Sequence, residues 1–289
     1  MARVVGIDVG GTDMKATLVD GEPIAFHARP TPDTPAGIVD AVAELVDEWG
    51  PAAAIGLAVP GVVDEERGVA VWSENLGWRD VPFVAQISER CGLPVALGHD
   101  VRTAALAETR IGAARGMSDV VYLSIGTGIA AAIVLGGRLH AGDGYAGEIG
   151  HTPAGHDEPC ACGGSGCLEA IASAAAIARR YTARSGHPAA GAAEVLAAGD
   201  PDALAVWDEA LDALAAALAW IASVLAPEAV VIGGGLSRAG TALFDPLNDR
   251  LARHLTFQPV PRLVPAELGD RAGCIGAALL AQASIRTGT

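Results

Sequence analysis

Basic residues are scarce in this chain: 19 lysines and arginines stand against 34 aspartates and glutamates, and the formal net charge is −15. A surface that binds nucleic acid needs clustered positive charge to neutralise phosphates, and an anionic membrane attracts the same kind of patch. The composition therefore argues against a nucleic-acid partner and against a membrane-surface partner.

Aromatic residues are also few, at 4%, although hydrophobic residues make up 51% of the 289 positions. The core is therefore expected to consist mainly of alanine, valine, leucine and isoleucine. A chain of this length forms one large domain or two lobes.

One run, Val120 to Gly137, carries no charge and could be mistaken for a membrane span. It contains four glycines among β-branched residues, a pattern that predicts two strands and a turn instead. The first residues do not have the pattern of a signal peptide. Cysteines number five, and three of them cluster, which favours a reducing, cytoplasmic compartment over a disulfide framework. The other two, Cys91 and Cys274, are expected to be small buried apolar residues.

Short apolar runs bounded by glycine turns predict an α/β fold. Strands are expected at residues 3–9, 12–19, 23–28, 53–59, 94–97, 120–125, 129–135 and 229–232. Helices are expected at about 38–49, 101–111, 202–225 and 272–285, with another that Asp80 caps and that has Pro82 in its first turn. The strand and glycine turn at Val120–Gly128 repeat those at Ile7–Thr12, so two related lobes are predicted, with a boundary near residues 112–119.

A cluster of possible metal ligands follows Gly150: His151, Cys160, Cys162 and Cys167. Three thiolates and one imidazole make a closed tetrahedral zinc set, and the intervening glycines let a short loop fold back on itself. The Cys160–Cys162 spacing is tighter than that of zinc fingers, so unligated thiols in a mobile loop remain the alternative.

Two carboxylates, Glu148 and Glu169, bracket this loop, and neither is needed as a ligand. Ionised oxygens accept strong hydrogen bonds from hydroxyl groups, so a sugar suits a pair of fixed carboxylates. The alternative is a pair of solvated surface acids.

Three glycine turns, each after a predicted strand, are candidates for phosphate binding. In the first, backbone N–H groups at Gly10 and Gly11 can contact phosphate oxygens, with further donors from Thr12 and Lys15 and an acid, Asp8, before the turn. The others lie at Thr127-Gly128 and at Gly233-Gly234-Gly235. Together they suggest one nucleotide held between two lobes; plain tight turns are the alternative.

Asp100 is the candidate general base, because it follows a strand and begins a helix, where open α/β sheets bind ligands. A carboxylate there can accept the proton of a hydroxyl that attacks a phosphoryl group. Helix capping is the alternative, and the two roles are compatible. His151 is proposed to bind zinc through one ring nitrogen and a sugar through the other, with a buried core histidine as the alternative.

Taken in chain order, these residues resemble the ROK family of sugar kinases. The matching stretches, which span nearly the whole chain, are Asp8–Lys15, Pro60-Gly61, Asn75-Leu-Gly-Trp78, Asp100, Ile125–Gly128, Glu148–His151 and Cys160–Glu169. The resemblance implies the two-lobed actin-like ATPase (ribonuclease-H-like) fold, with one lobe at residues 1–115 plus helix 272–289 and the other, with the zinc loop, at residues 116–271.

The resemblance also implies the reaction, which is transfer of the γ-phosphoryl group of ATP, with Mg²⁺, to a sugar hydroxyl, usually O6. Glucose and N-acetylglucosamine are the leading sugars. Asp100 falls on the family's base and His151, Cys160, Cys162 and Cys167 on its zinc ligands. The implied sugar contacts are Gly61, Asn75, His99, Asp100, Glu148, His151 and Glu169. The implied nucleotide contacts are Asp8, Gly10, Gly11, Thr12, Lys15, Thr127, Gly128 and Gly233–Gly235. A homodimer, or a tetramer, is also implied.

One position departs from the family pattern, which has asparagine immediately before the catalytic aspartate. Here that residue is His99, a bulkier side chain that titrates near neutral pH, so the sugar preference of relatives cannot be copied directly. Two rivals are a transcription regulator and a sugar sensor without catalysis. The few residues before the first strand and the acidic composition argue against the regulator, and the presence of Asp8, Lys15 and Asp100 argues against the sensor.

Overall fold

The computed structural model describes residues 2–74 and 76–287, within which the chain forms thirteen strands and nine α-helices. The strands are β1 (Val4–Val9), β2 (Asp13–Asp20), β3 (Glu22–Pro30), β4 (Ala54–Val59), β5 (Val62–Asp64), β6 (Val69–Ser73), β7 (Trp78–Val81), β8 (Val95–His99), β9 (Val120–Ile125), β10 (Ile129–Leu135), β11 (Arg138–His140), β12 (Ala229–Gly233) and β13 (Arg262–Pro265). The helices are α1 (Pro35–Trp49), α2 (Phe83–Cys91), α3 (Asp100–Ile111), α4 (Leu168–Ala172), α5 (Ala174–Ser185), α6 (Ala192–Ala198), α7 (Pro201–Leu225), α8 (Thr241–His254) and α9 (Ala272–Thr287).

The chain divides into two units. Unit 1 contains the chain up to Gly112, the segment Ala141–Tyr145 and the chain from Asp270 onward. Unit 2 contains Ala113–His140 and Ala146–Gly269.

Unit 1 is built on a five-stranded sheet with the order β3-β2-β1-β4-β8. The first three strands form an antiparallel meander, and β1, β4 and β8 are parallel. Strand β4 is buried along its whole length, as expected for a parallel strand with both faces covered. Because β1 and β8 run in the same direction, Asp8 near the end of β1 and Asp100 just beyond β8 share the carboxyl edge of this sheet.

Helix α9 packs directly on this sheet at a pair of glycines. Gly6 and Gly56 are cross-strand partners in β1 and β4. A Cβ atom at Gly6 would collide with the carbonyl oxygen of Cys274, and one at Gly56 would collide with the carbonyl oxygen of Ala277. Only glycine at both positions allows the helix backbone to approach this closely.

Unit 2 repeats the same topology with a second sheet, whose order is β11-β10-β9-β12-β13. Strands β9, β10 and β11 are antiparallel neighbours, and β9, β12 and β13 are parallel. The buried face of this sheet, including Leu123 and Ile232, joins one hydrophobic cluster with Leu211, Leu214 and Leu218 of α7. The predicted α/β fold with a duplicated strand-and-hairpin core is confirmed.

The prediction for the start of α2 was wrong. Asp80 does not cap this helix; it lies in β7 with a φ of 50°, and Pro82 occupies the capping position before Phe83. The reason is an additional small sheet, β5-β6-β7, in which Arg79 pairs with Trp72 and draws the preceding chain into a strand.

The uncharged run from Val120 onward forms β9 and β10, as predicted. Across the described residues, no helix combines the length and the apolar character needed to span a bilayer. Cys274 is buried as expected, whereas Cys91, at the end of α2, is only half-buried.

The glycine pair yields a stability prediction. Gly56→Ala should lower the free energy of unfolding by about 2–3 kcal/mol, because the added methyl group forces α9 away from the sheet. Gly191→Ala is the control, since its Cβ would meet no atom within 4 Å; as Gly191 is the N-cap of α6, the change should cost no more than about 1 kcal/mol. Urea unfolding measures both; equal stability of the two variants would contradict this packing.

Candidate active site

Hydrogen bonds fix the conformation of the glycine turn between β1 and β2. The Gly10 N–H donates to the Asp13 carbonyl at 3.0 Å, and the Thr31 hydroxyl donates to the Gly10 carbonyl at 2.7 Å. The Thr31 N–H donates to the Thr12 carbonyl at 2.9 Å. No atom lies within 4 Å of a Cβ built on Gly11, so a ligand can reach this part of the backbone.

Asp8 and Lys15 face each other across this hairpin as cross-strand partners. The Asp8 carboxylate also packs against Gly273 at the start of α9, where a side chain would displace it. Burial, and next the charge of Asp100, raise the pKa of Asp8 to about 7, while Lys15 lowers it. The negative charge of Asp100 thus makes it harder for Asp8 to ionise, and a divalent cation beside them would stabilise the ionised form of Asp8. The Asp8 carboxylate therefore fits a ligand of a magnesium ion.

Asp100 is the first residue of α3, and its carboxylate remains partly accessible, with 30% of the side chain exposed. Its Oδ1 accepts the Val101 N–H at 2.7 Å and lies 3.2 Å from Nδ1 of His99, the last residue of β8. Burial raises the pKa of Asp100 to about 6, opposed by the Val101 N–H and by the positive charge of Arg102. A base with this pKa is ionised at neutral pH and can still accept a proton readily.

Of the three other predicted sugar contacts in unit 1, the structure describes His99 and Gly61. His99 is only 7% exposed. Gly61 has a φ of 93° and lies against the Trp72 carbonyl, so glycine is required there. Asn75 is outside the described residues.

In unit 2, the Thr127-Gly128 turn is joined to Glu169. The Gly126 N–H donates to the Gly128 carbonyl at 2.9 Å, which closes the turn. Oε2 of Glu169, in the first turn of α4, accepts the Ile129 N–H at 2.7 Å and packs against Gly128. One carboxylate oxygen of Glu169 therefore fixes the hairpin, and the alternative of a solvated surface acid does not describe this residue.

The glycines at 233–235 lie beside the same hairpin, at the end of β12. Gly233 pairs with Ser124 of β9 and packs against the Tyr122 ring. Gly234 has a φ of 76° and lies against the Ile125 carbonyl, and Gly235 has open space where a side chain would be. Two glycine turns at one carboxyl edge leave the backbone N–H groups of unit 2 accessible to a ligand.

Four side chains after β11 converge on one point. The ligand atoms of His151, Cys160, Cys162 and Cys167 all lie within 4.8 Å of one another. The Sγ atoms of Cys162 and Cys167 are 3.7 Å apart, and Cys160 Sγ is 3.8 Å from His151 Nδ1. A tetrahedral zinc site requires about 3.8 Å between two sulfurs and about 3.6 Å between sulfur and nitrogen. The cluster therefore has the geometry to hold zinc.

His151 links this cluster to Glu148. Its Nδ1 faces Cys160, and its Nε2 lies 3.9 Å from Oε2 of Glu148. One ring nitrogen is thus directed at the metal position and the other at the first of the two carboxylates. Glu148 is exposed, with 46% of its side chain accessible.

Two residues near these sites were not identified from the sequence. His156 supports the cysteine loop: its Nδ1 accepts the Glu158 N–H at 3.0 Å and its Nε2 lies 3.1 Å from the Cys167 carbonyl. Arg102 is buried two residues after Asp100. The position of His156 inside the cysteine loop was an available signal, whereas nothing near Arg102 in the sequence indicates its burial.

Comparisons with known proteins agree on one family. The ROK family profile matches residues 4–284. The glucokinase of Streptomyces coelicolor is 33% identical, covering 98% of this chain and 98% of its own. The N-acetyl-D-glucosamine kinase of Salmonella arizonae is 35% identical, covering 95% and 98%.

A solved structure of a family member has the same fold as this chain. The ROK family glucokinase from Streptomyces griseus, in complex with glucose and AMPPNP, matches with a TM-score of 0.85 at 32% identity, covering 97% of this chain and 99% of its own. The fold is therefore the actin-like ATPase fold. With a family profile over nearly the whole chain and relatives similar over their full length, this protein belongs to the ROK family.

Proposed function

We propose that this protein is an ATP-dependent kinase that phosphorylates the 6-hydroxyl of a hexose or N-acetylhexosamine, with Asp100 as the general base. The observation that carries this proposal is the position of Asp100, a partly exposed carboxylate that shares the carboxyl edge of the first sheet with Asp8 and the first glycine turn. A base and a phosphate-binding turn in one unit are the minimum that phosphoryl transfer to an alcohol requires.

In this proposal the glycine turns hold ATP. The backbone of Gly10 and Gly11, with Thr12 and Lys15, contacts phosphate oxygens, and Thr127, Gly128 and Gly233–Gly235 contact the rest of the nucleotide. Asp8 holds Mg²⁺, which supplies neutralisation of the phosphate charge when bound. Asp100 orients the sugar hydroxyl through a hydrogen bond and accepts its proton as the bond to phosphorus forms.

The sugar is held by the carboxylates and the imidazole around the cysteine loop. Glu148, His151 and Glu169 accept or donate hydrogen bonds to its hydroxyls, together with Gly61, Asn75 and His99. Zinc at His151, Cys160, Cys162 and Cys167 stiffens the loop and orients the His151 ring. A homodimer is part of the proposal on the strength of the family resemblance.

The relatives support this reading over its rivals, because those at 33–35% identity that match nearly their whole length carry the names of enzymes. They carry the names of both glucokinase and N-acetylglucosamine kinase, so the sugar itself has to be tested. A panel of hexoses and N-acetylhexosamines with coupled ADP detection is the direct experiment, and absence of turnover on all of them would refute the proposal.

Asp100→Asn should lower kcat by about 10²–10⁴-fold, because the attacking hydroxyl loses its proton acceptor, while the dissociation constant for the sugar changes little. Asp33→Asn is the control, an exposed acid in the same unit, and should retain full activity. Steady-state kinetics and calorimetry measure both quantities. Near-normal turnover in the Asp100 variant would remove it from its role.

The acid limb of the pH profile is the second prediction. Both carboxylates must be ionised to work, and burial raises their pKa values to about 6 for Asp100 and about 7 for Asp8. Activity should therefore be present above these values and be lost as the pH falls through them. A plot of log kcat/KM should bend between about pH 6 and 7; a flat profile down to pH 5 would contradict this assignment.

Metal removal is the third prediction. Cys162→Ala should abolish stoichiometric zinc and weaken sugar binding by about tenfold or more, because Glu148, His151 and Glu169 lose their fixed positions. Cys91→Ala, which changes a half-buried thiol outside the cluster, should keep its zinc. Elemental analysis of the native protein purified without chelator is the decisive control, and a zinc content near zero would overturn this account.

A further inference from the structure

A buried arginine lies two residues beyond the proposed base. Arg102, in α3, is only 3% exposed, although arginine is almost never fully buried unless it is paired. Its Nε donates to Oε1 of Glu65 at 3.0 Å, and its Nη2 lies 2.9 Å from the same oxygen. Glu65 follows β5, so this ion pair joins the first turn of α3 to the β5–β6 hairpin.

The same guanidinium reaches a third part of unit 1. Nη1 of Arg102 lies 3.4 Å from the Gly144 carbonyl. Gly144 is part of the segment Ala141–Tyr145, hereafter the strap, which belongs to unit 1 although the chain on both sides of it belongs to unit 2. A Cβ built on Gly144 would lie 3.2 Å from the Val63 carbonyl, so the strap packs closely on β5. Four residues after Gly144 the chain reaches Glu148, a proposed sugar ligand.

Stability does not account for an arginine at this position. The desolvation of a buried guanidinium costs several kcal/mol, and an ion pair with a single carboxylate seldom returns more than this cost. The side chain of Glu65 is 40% exposed, which weakens the attraction further. An apolar residue of similar length would fill the space at lower cost, so the charge and the three-way contact require another reason.

We propose that Arg102 is a positioning residue of the phosphoryl-transfer site, which fixes the helix that begins at Asp100 to both the β5–β6 hairpin and the strap. The inference rests on the proposed function, because the base and the sugar ligand are assigned there. Arg102 fixes the orientation of the Asp100 carboxylate. It also fixes the position of the strap, from which the chain continues to Glu148. Its charge also lowers the pKa of Asp100 against the effect of burial.

The electrostatic part of this role depends on the other charged and titratable groups near Asp100. These are Asp8 on β1, which Lys15 on β2 faces, and His99 on β8, with Glu65 facing Arg102 from the hairpin. Loss of the Arg102 charge should raise the pKa of Asp100. Loss of the Glu65 charge should have the opposite effect, because it leaves Arg102 uncompensated.

Three variants test the proposal. In Arg102→Met, the strap amides of Gly144 and Tyr145 should exchange with deuterium about tenfold faster, and the acid limb of log kcat/KM should move up by about one pH unit. In Glu65→Gln, the limb should move down. In Arg102→Lys, which keeps the charge and loses the planar fork, the strap should exchange faster while the limb stays in place.

Arg67→Met is the matched control, because Arg67 lies on the same hairpin, is exposed and forms an ion pair with Asp64 at 3.5 Å. It should alter neither exchange nor the acid limb. The proposal is overturned if strap exchange is unchanged in Arg102→Met, or if Arg102→Met and Glu65→Gln move the limb in the same direction, as a general loss of stability would do.

Failure of the proposed function is distinguishable from failure of this inference. Hydrogen exchange at the strap is measured without substrate, so it tests whether the contact with Arg102 stabilises the strap even if no sugar is turned over. Should Arg102→Met fail to fold, Arg102→Lys and Glu65→Gln decide the question by the same two measurements, with unchanged strap exchange in Arg102→Lys counting against the proposal.

Discussion

The burial of two carboxylates at one sheet edge is the constraint on which the site in unit 1 depends, and the charge of Asp100 adds to it at Asp8. Asp8 lies near the end of β1 and Asp100 directly follows β8, at the same carboxyl edge of the sheet. Each is partly buried, so neither ionises as easily as it would in water. Lys15 and Arg102 offset part of this cost. The region beside the open glycine turn still has a negative electrostatic potential, which would attract a Mg²⁺ ion bound to the phosphates of a nucleotide.

In unit 2 the main constraint is different: a long irregular loop has to be held in one conformation. The residues between Gly150 and Leu168 contain little regular structure, and the loop is organised by the convergence of four ligand atoms and by the contacts of His156. Glu169 then connects the end of this loop to the Thr127 hairpin through the Ile129 N–H. In this way a cluster with the geometry to hold zinc, a glycine turn and a carboxylate are parts of a single assembly within one unit.

Much of this arrangement could be predicted from the sequence because it depends on local patterns. Apolar runs ended by glycines predicted all five strands of the first sheet, but in the second sheet they predicted β9, β10 and β12 and missed the short strands β11 and β13. The histidine and cysteine pattern predicted the four side chains that converge in unit 2. The error at Asp80 arose because the three-stranded sheet β5-β6-β7 depends on pairing between segments whose periodicity is short and weak. Arg102 could not be predicted, since its burial depends on Glu65 and Gly144, which lie 37 and 42 residues away.

The most direct measurement is a crystal structure of the protein with a turned-over sugar, Mg²⁺ and a non-hydrolysable ATP analogue. If Asp100 is the base, one of its carboxylate oxygens will lie about 2.6–3.2 Å from the hydroxyl that accepts the phosphoryl group, with the terminal phosphate of the analogue on the far side of that hydroxyl. A sugar bound with that hydroxyl out of hydrogen-bonding reach of Asp100 would contradict the account.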